Sequence, residues 1–123
     1  MFAELQTKEE QYLVDNGSYL TAAVCPATPS AQSQDASGCV GTGTPWKSMR
    51  VMLPTDKLYC TYEITAGAST VTPTVPTGFS MTTPATGWYF ILATCDMDGS
   101  STKNSAYFVS SMDTKVQPLN EGY

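Results

Sequence analysis

The stretch FAELQTKEEQYLVDNGSYLT, Phe2 to Thr21, reads as a helix and its stop at the very start of the chain. Good helix formers dominate from Phe2 to Asp15, and neither glycine nor proline interrupts them. Phe2, Leu5, Tyr12 and Leu13 fall near one helical face, with Glu9 breaking the apolar stripe. Gly17, after Asn16, supplies a left-handed stop. A rival start signal, T-K-E-E at Thr7 to Glu10, fits the capping-box pattern and would begin the helix at Glu9 or just before. That leaves about two turns, which is marginal. A helix over about residues 2–15 is therefore expected, one whose abrupt start points to an extension upstream.

The rest of the chain has a different character. Residues 17–45 are rich in Ala, Ser, Thr, Gly and Pro and follow neither helical nor strand period, so a long loop is expected there. W-K-S-M-R-V-M-L-P, Trp46 to Pro54, reads as a turn or short strand. L-Y-C-T-Y-E-I-T, Leu58 to Thr65, alternates cleanly, with Leu58, Cys60, Tyr62 and Ile64 on one face. Ala66 to Gly87 is a Thr/Pro/Gly stretch with Val71 and Val75, expected as a surface loop. G-W-Y-F-I-L-A-T-C, Gly87 to Cys95, is apolar on both faces, so a strand there must be covered twice. Asp98-Gly99 turns the chain, and Asn104 to Met112 returns as the last strand, followed by a polar end. The plan is α+β in one domain, residues 1–123: an N-terminal helix packed on an antiparallel sheet spanning about residues 46–112.

Four cysteines, Cys25, Cys39, Cys60 and Cys95, occur without histidine and without a C-x-x-C pair, which disfavours zinc and favours two disulfides in an oxidising compartment. Three pairings are possible. Neighbourhood in sequence favours Cys25 with Cys39 and Cys60 with Cys95, the latter across neighbouring strands because Cys95 shares a face with Tyr89, Ile91 and Ala93. No apolar run approaches the ~18 residues of a membrane span. An oxidised chain without a targeting segment is expected to be a mature or truncated product.

Six Lys and Arg stand against eleven Asp and Glu, a net charge of −5, which argues against a nucleic-acid surface. Charged residues make up only 14 % of the chain, a profile common in extracellular β-rich domains. Each motif that invites chemistry has a plainer reading. S-S-T-K, Ser100 to Lys103, matches a nucleophile pattern but sits in a hairpin loop. Asp96, Asp98 and Asn104 resemble part of a calcium loop, yet the glycine is misplaced and no acid closes the frame. Asn16-Gly17-Ser18 is a glycosylation sequon, already needed as a helix stop. Without histidine, a phosphate loop or paired carboxylates, no enzyme, cofactor or metal site is expected.

Together these features resemble the type IV pilin and pseudopilin family. The likeness rests on four segments: the helix end running into D-N-G-S-Y, P-W-K-S-M followed by L-Y-C-T-Y-E-I, the W-Y-F-I-L-A-T-C-D-M-D-G-S hairpin, and Y-F-V-S-S-M-D-T-K. It implies a preceding apolar helix, which anchors a pilin in the membrane before assembly and packs in the filament core afterwards. Phe2 is not the modified phenylalanine that begins such a helix, because Ala3 to Lys8 is no membrane run. Either a truncation or a natural split pilin would account for this. The resemblance implies a filament subunit outside the cell whose partners are other pilin subunits, met through that helix and through loop surfaces. Phe2, Leu5 and Tyr12 are candidate subunit contacts. A type II secretion pseudopilin and a free extracellular adhesin module are the alternatives.

Overall fold

In a computed structural model, residues 1–53, 55–99 and 103–121 are described. Helix α1 spans Phe2–Asn16. Strand β1, Ala22–Cys25, follows, then the two-residue β2, Gln34–Asp35, a 3-10 turn at Ser37–Val40, and the short helix α2, Pro45–Ser48. The remaining strands are β3 (Lys57–Leu58), β4 (Thr61–Gly67), β5 (Trp88–Cys95), β6 (Ser105–Ser110) and β7 (Gln117–Leu119). A five-stranded sheet runs in the order β1-β4-β5-β6-β7 with every pairing antiparallel, and β2 pairs separately with β3. The α+β plan, the amino-terminal helix and the antiparallel sheet of the sequence reading are all present.

Three local readings need correction. The segment 17–45 is not loop throughout: Ala22 pairs with Ile64 and Cys25 with Tyr62, making β1 an edge strand with a register irregularity between the two pairs. Trp46 lies in a helical turn, the first of the two alternatives read for its segment, because the hydroxyl of Thr44 accepts from the backbone N–H of Lys47 and Pro45 stands where a helix tolerates a missing donor. The polar end contributes β7, whose Pro118 is tolerated at the edge of the sheet. Leu58 pairs with Gln34 in the small sheet, so the alternating run from Leu58 is broken before Thr61.

Alternation divides the sheet into two faces. On one, Ala22, Ile64, Ile91, Tyr89 and Val109 pack with Leu5 of α1 and with Trp46, Met49 and Val51 in the main core. On the other, Trp88, Phe90 and Phe108 form a second cluster. Their rings run in sequence: Trp88 to Phe90 at 6.1 Å between centroids, Phe90 to Phe108 at 5.3 Å, and Phe108 to Phe79 at 5.1 Å. The strand that had to be covered twice is covered by the helix on one side. On the other, the 68–87 segment, read from sequence as surface loop, supplies Val75, Phe79 and Met81. Trp88 Nε1 donates to the Val71 carbonyl at 2.8 Å, and Gln117 of β7 exchanges two hydrogen bonds with the Ser80 backbone at 3.0 and 2.8 Å.

Close packing of this cover explains Gly67. A Cβ placed there would run into the ring of Trp88, which is held between its hydrogen bond and Phe90. Gly67→Ala is expected to destabilise by about 1–3 kcal/mol through forced repacking of Trp88. Chemical denaturation combined with tryptophan fluorescence checks both parts of that expectation.

The disulfides join Cys25 to Cys39 and Cys60 to Cys95. The first pins β1 to the 3-10 turn. That turn is itself set by the Ser37 N–H donating to the Asp35 carboxylate at 2.9 Å, a bond that holds the Asp35 carboxyl below its ordinary range. The second extends the β4–β5 ladder by one step beyond the Thr61–Thr94 pair. Its Cα separation of 4.4 Å matches a directly opposed pair of antiparallel strands.

Candidate functional site

The amino-terminal helix and the connection that follows it hold the residues singled out from sequence. Helix α1 presents Leu5 and Glu9 inward, both with no exposed surface. Phe2 is half-buried and meets Tyr62 edge-on at 6.0 Å, and Tyr62 in turn meets Trp46 at 6.3 Å. Tyr12 is also half-buried against the main core. Leu5 is therefore corrected from candidate subunit contact to core residue of its own chain. Its position on the stripe between Phe2 and Tyr12 puts it under the helix, and only the outer edges of Phe2 and Tyr12 remain accessible.

The start of α1 is tied down by Glu4. Its carboxylate accepts from the Met52 backbone N–H at 2.7 Å and lies 4.0 Å from Lys8 Nζ. The outward face, Ala3, Thr7, Glu10, Gln11, Val14 and Asp15, is exposed. Val14 is 84 % exposed, an apolar side chain standing in an otherwise polar stripe.

At its carboxyl end the helix stops as the sequence indicated. Gly17 is left-handed with φ 81° and donates its N–H to the Leu13 carbonyl at 2.7 Å, while Asn16 Nδ2 donates to the Tyr12 carbonyl. The chain then lies along the sheet from Gly17 to Thr21. Tyr19 donates its hydroxyl to Glu10 at 3.0 Å and packs edge-on to Tyr89 at 4.7 Å. Leu20 donates its N–H to Glu9 Oε1 at 3.0 Å. Thr21 exchanges side-chain hydrogen bonds with the Ala66 backbone in β4.

Glu9 is the residue that sequence reasoning undervalued. It registered only as a break in the apolar stripe, although an acid between Leu5 and Tyr12 on a core-facing stripe is itself a signal. Its Oε2 is buried and, among the described residues, has no hydrogen-bond partner. Burial drives its carboxyl up to about 7 from the ordinary 4.5, against the bond from Leu20, with nearby Glu10 adding to the rise. The folded chain thus keeps a proton that the unfolded chain releases between those values. Glu9's contribution to stability is full below pH 4.5 and is lost as pH rises towards 7. Burial also raises the Tyr19 hydroxyl to about 12, helped by its bond to Glu10, and raises Tyr89 further.

Beside the connection lies a cleft of about 540 Å³ lined by Leu13, Ser18, Tyr19, Ala68, Ser69 and Thr86, among others. Its lining is uncharged and rich in hydroxyls. Asp96 and Asn104, from the hairpin read as calcium-like, are half-buried. Among the described residues no group of three or more His, Cys, Asp or Glu is placed to hold a metal ion. Ser100 to Thr102 of the S-x-x-K match lie outside the described residues. No helix among the described residues is long and apolar enough to cross a membrane. The two disulfides fit an oxidising, extracytoplasmic compartment.

No protein-family model matches this chain, and no curated protein or solved structure matches it.

Proposed function

We propose that the chain is the globular domain of a type IV pilus filament subunit, working by assembly rather than by catalysis. The observation that carries this reading is the placement of α1. A 15-residue helix opens the chain and is fixed on an antiparallel sheet by Leu5, Glu9 and Glu4, while its opposite face stays exposed. In a filament, a helix held in this way would couple an upstream segment to the sheet. An apolar stretch continuing it upstream would extend as a rod away from the domain. The disulfides would keep edge strand β1 and the β4–β5 pair closed outside the cell. Subunits would meet through the upstream helix, through the exposed stripe around Val14 and through the connecting loops. A pseudopilin of a type II secretion system would share this architecture.

One observation favours a second reading, a free extracellular binding module. The uncharged, hydroxyl-rich cleft beside the connection suits a neutral polar ligand. The coding sequence immediately before Phe2 separates the two. The filament reading expects about twenty-five apolar residues behind a short basic leader, and an ordinary cleaved signal peptide there would favour the binding module instead.

A further inference from the structure

Glu9 joins three parts of the fold at one buried point: helix α1, which carries it, the Gly17–Thr21 connection, which donates to it through Leu20, and the sheet beneath. A carboxylate with no exposed surface ordinarily has a cation or several donors around it. Here, among the described residues, a single backbone N–H serves Oε1 and Oε2 has no partner. Among the described residues, the titratable groups facing it offer no positive charge: Glu10 on its own helix, and the neutral hydroxyls of Tyr19 on the connection and Tyr89 on β5. Its sequence neighbour Lys8 is turned towards Glu4. Tyr62 of β4 faces Phe2, at the other end of the helix.

A neutral carboxyl fits this setting. A charged one faces Glu10 and lacks the donors that would replace water. The connection that covers it is at the surface, with Gly17, Ser18 and Thr21 exposed. We propose that Glu9 is a proton-operated latch: carrying its proton it holds the Gly17–Thr21 connection on the sheet, and once charged it lets that connection lift. Gly17, Ser18 and Tyr19 form one wall of the neighbouring cleft, so release of the latch opens the cleft at its helix side. Release of Tyr19 breaks its bond to Glu10, which changes the exposed surface next to Val14. The latch requires neither a filament nor a ligand, so it stands or falls separately from the assembly reading.

The test is amide hydrogen exchange followed by NMR at about pH 5 and about pH 8, expressed as protection factors so that the intrinsic pH dependence is removed. Protection at Leu20 is expected to fall by at least about tenfold between the two pH values, while Ile91 in β5 keeps its protection. In Glu9→Gln, which keeps an acceptor for Leu20 but cannot ionise, Leu20 protection should not change with pH. The same fall in both proteins, or no fall in the parent, would overturn the latch. If the glutamine variant does not fold, the side-chain carboxyl carbon of Glu9 in the parent decides. A titration midpoint near 7 supports the latch, and one near 4.5 overturns it.

Discussion

Phe108→Ala is expected to destabilise the domain by about 3–5 kcal/mol, among the largest losses any single side chain here can produce. Phe108 has no exposed surface and stands between Phe90 and Phe79, so its removal opens a void in the ring series that neither neighbour can close. The loss goes beyond the area of one ring. Phe79 belongs to the irregular 68–87 segment, and its contact with Phe108 is one of the few apolar ties holding that cover to the sheet. The variant should therefore show a lower denaturation midpoint together with faster proteolysis within 68–87. Phe79→Ala, at a half-buried position, should reproduce the proteolysis with a smaller loss of stability. A Phe108→Ala protein with an unchanged midpoint would mean that the second cluster contributes little.

Replacing Cys60 and Cys95 together by alanine is expected to cost about 4 kcal/mol, against about 3 kcal/mol for the Cys25 and Cys39 pair, on the loop-entropy argument. The difference follows from sequence separations of 35 and 14. The consequences should differ in kind as well. Strands β4 and β5 stay in register from Thr61–Thr94 to Gly67–Trp88 without their bridge, so the first variant should keep its sheet and unfold at lower denaturant. β1 has few ladder pairs and sits at the edge, so loss of Cys25–Cys39 should free the β1 end locally, seen as lost amide protection from Ala22 to Cys25. Equal midpoints for the two double variants would contradict the ordering.

How much of this was legible in the sequence depended on whether a signal was local. Helix α1, its Gly17 stop, strands β4 to β6 and the hairpin at Gly99 each carry their instruction within a few residues. The pairing of Cys60 with Cys95 followed from that, since placing them on one face of neighbouring strands brings them opposite each other, while that of Cys25 with Cys39 rested on their nearness in sequence. Strands β1 and β7 were missed because they are short edge strands, A-A-V-C and Q-P-L, and pairing with a longer neighbour specifies them more than any pattern of their own. The cover over the second face was half legible. The doubly apolar run from Trp88 to Leu92 demanded something on each side, but Phe79 and Met81 have no period to mark them as that cover. At the candidate site, an inward stripe was readable and the inwardness of its one acid was not weighed. The same stripe misplaced Leu5, because a residue on the apolar side of an amphipathic helix can serve its own sheet or a neighbouring subunit, and the pattern is identical in both cases.

The assembly account also makes a claim about the exposed side of α1. Among the described residues, the exposed stripe from Ala3 to Val14 makes one side-chain hydrogen bond, Glu10 with Tyr19. Its composition is therefore free to serve contact with other subunits, and substitutions at Val14 should leave the isolated domain's stability within about 0.5 kcal/mol of the parent.

The most direct test of the central claim is immunogold electron microscopy of cells that express the full coding sequence, using antibodies raised against the 123-residue domain. A filament subunit predicts gold on extracellular filaments, along the shaft or at the tip. Filaments bare of gold, with the label confined to the cell body or the medium, would contradict it.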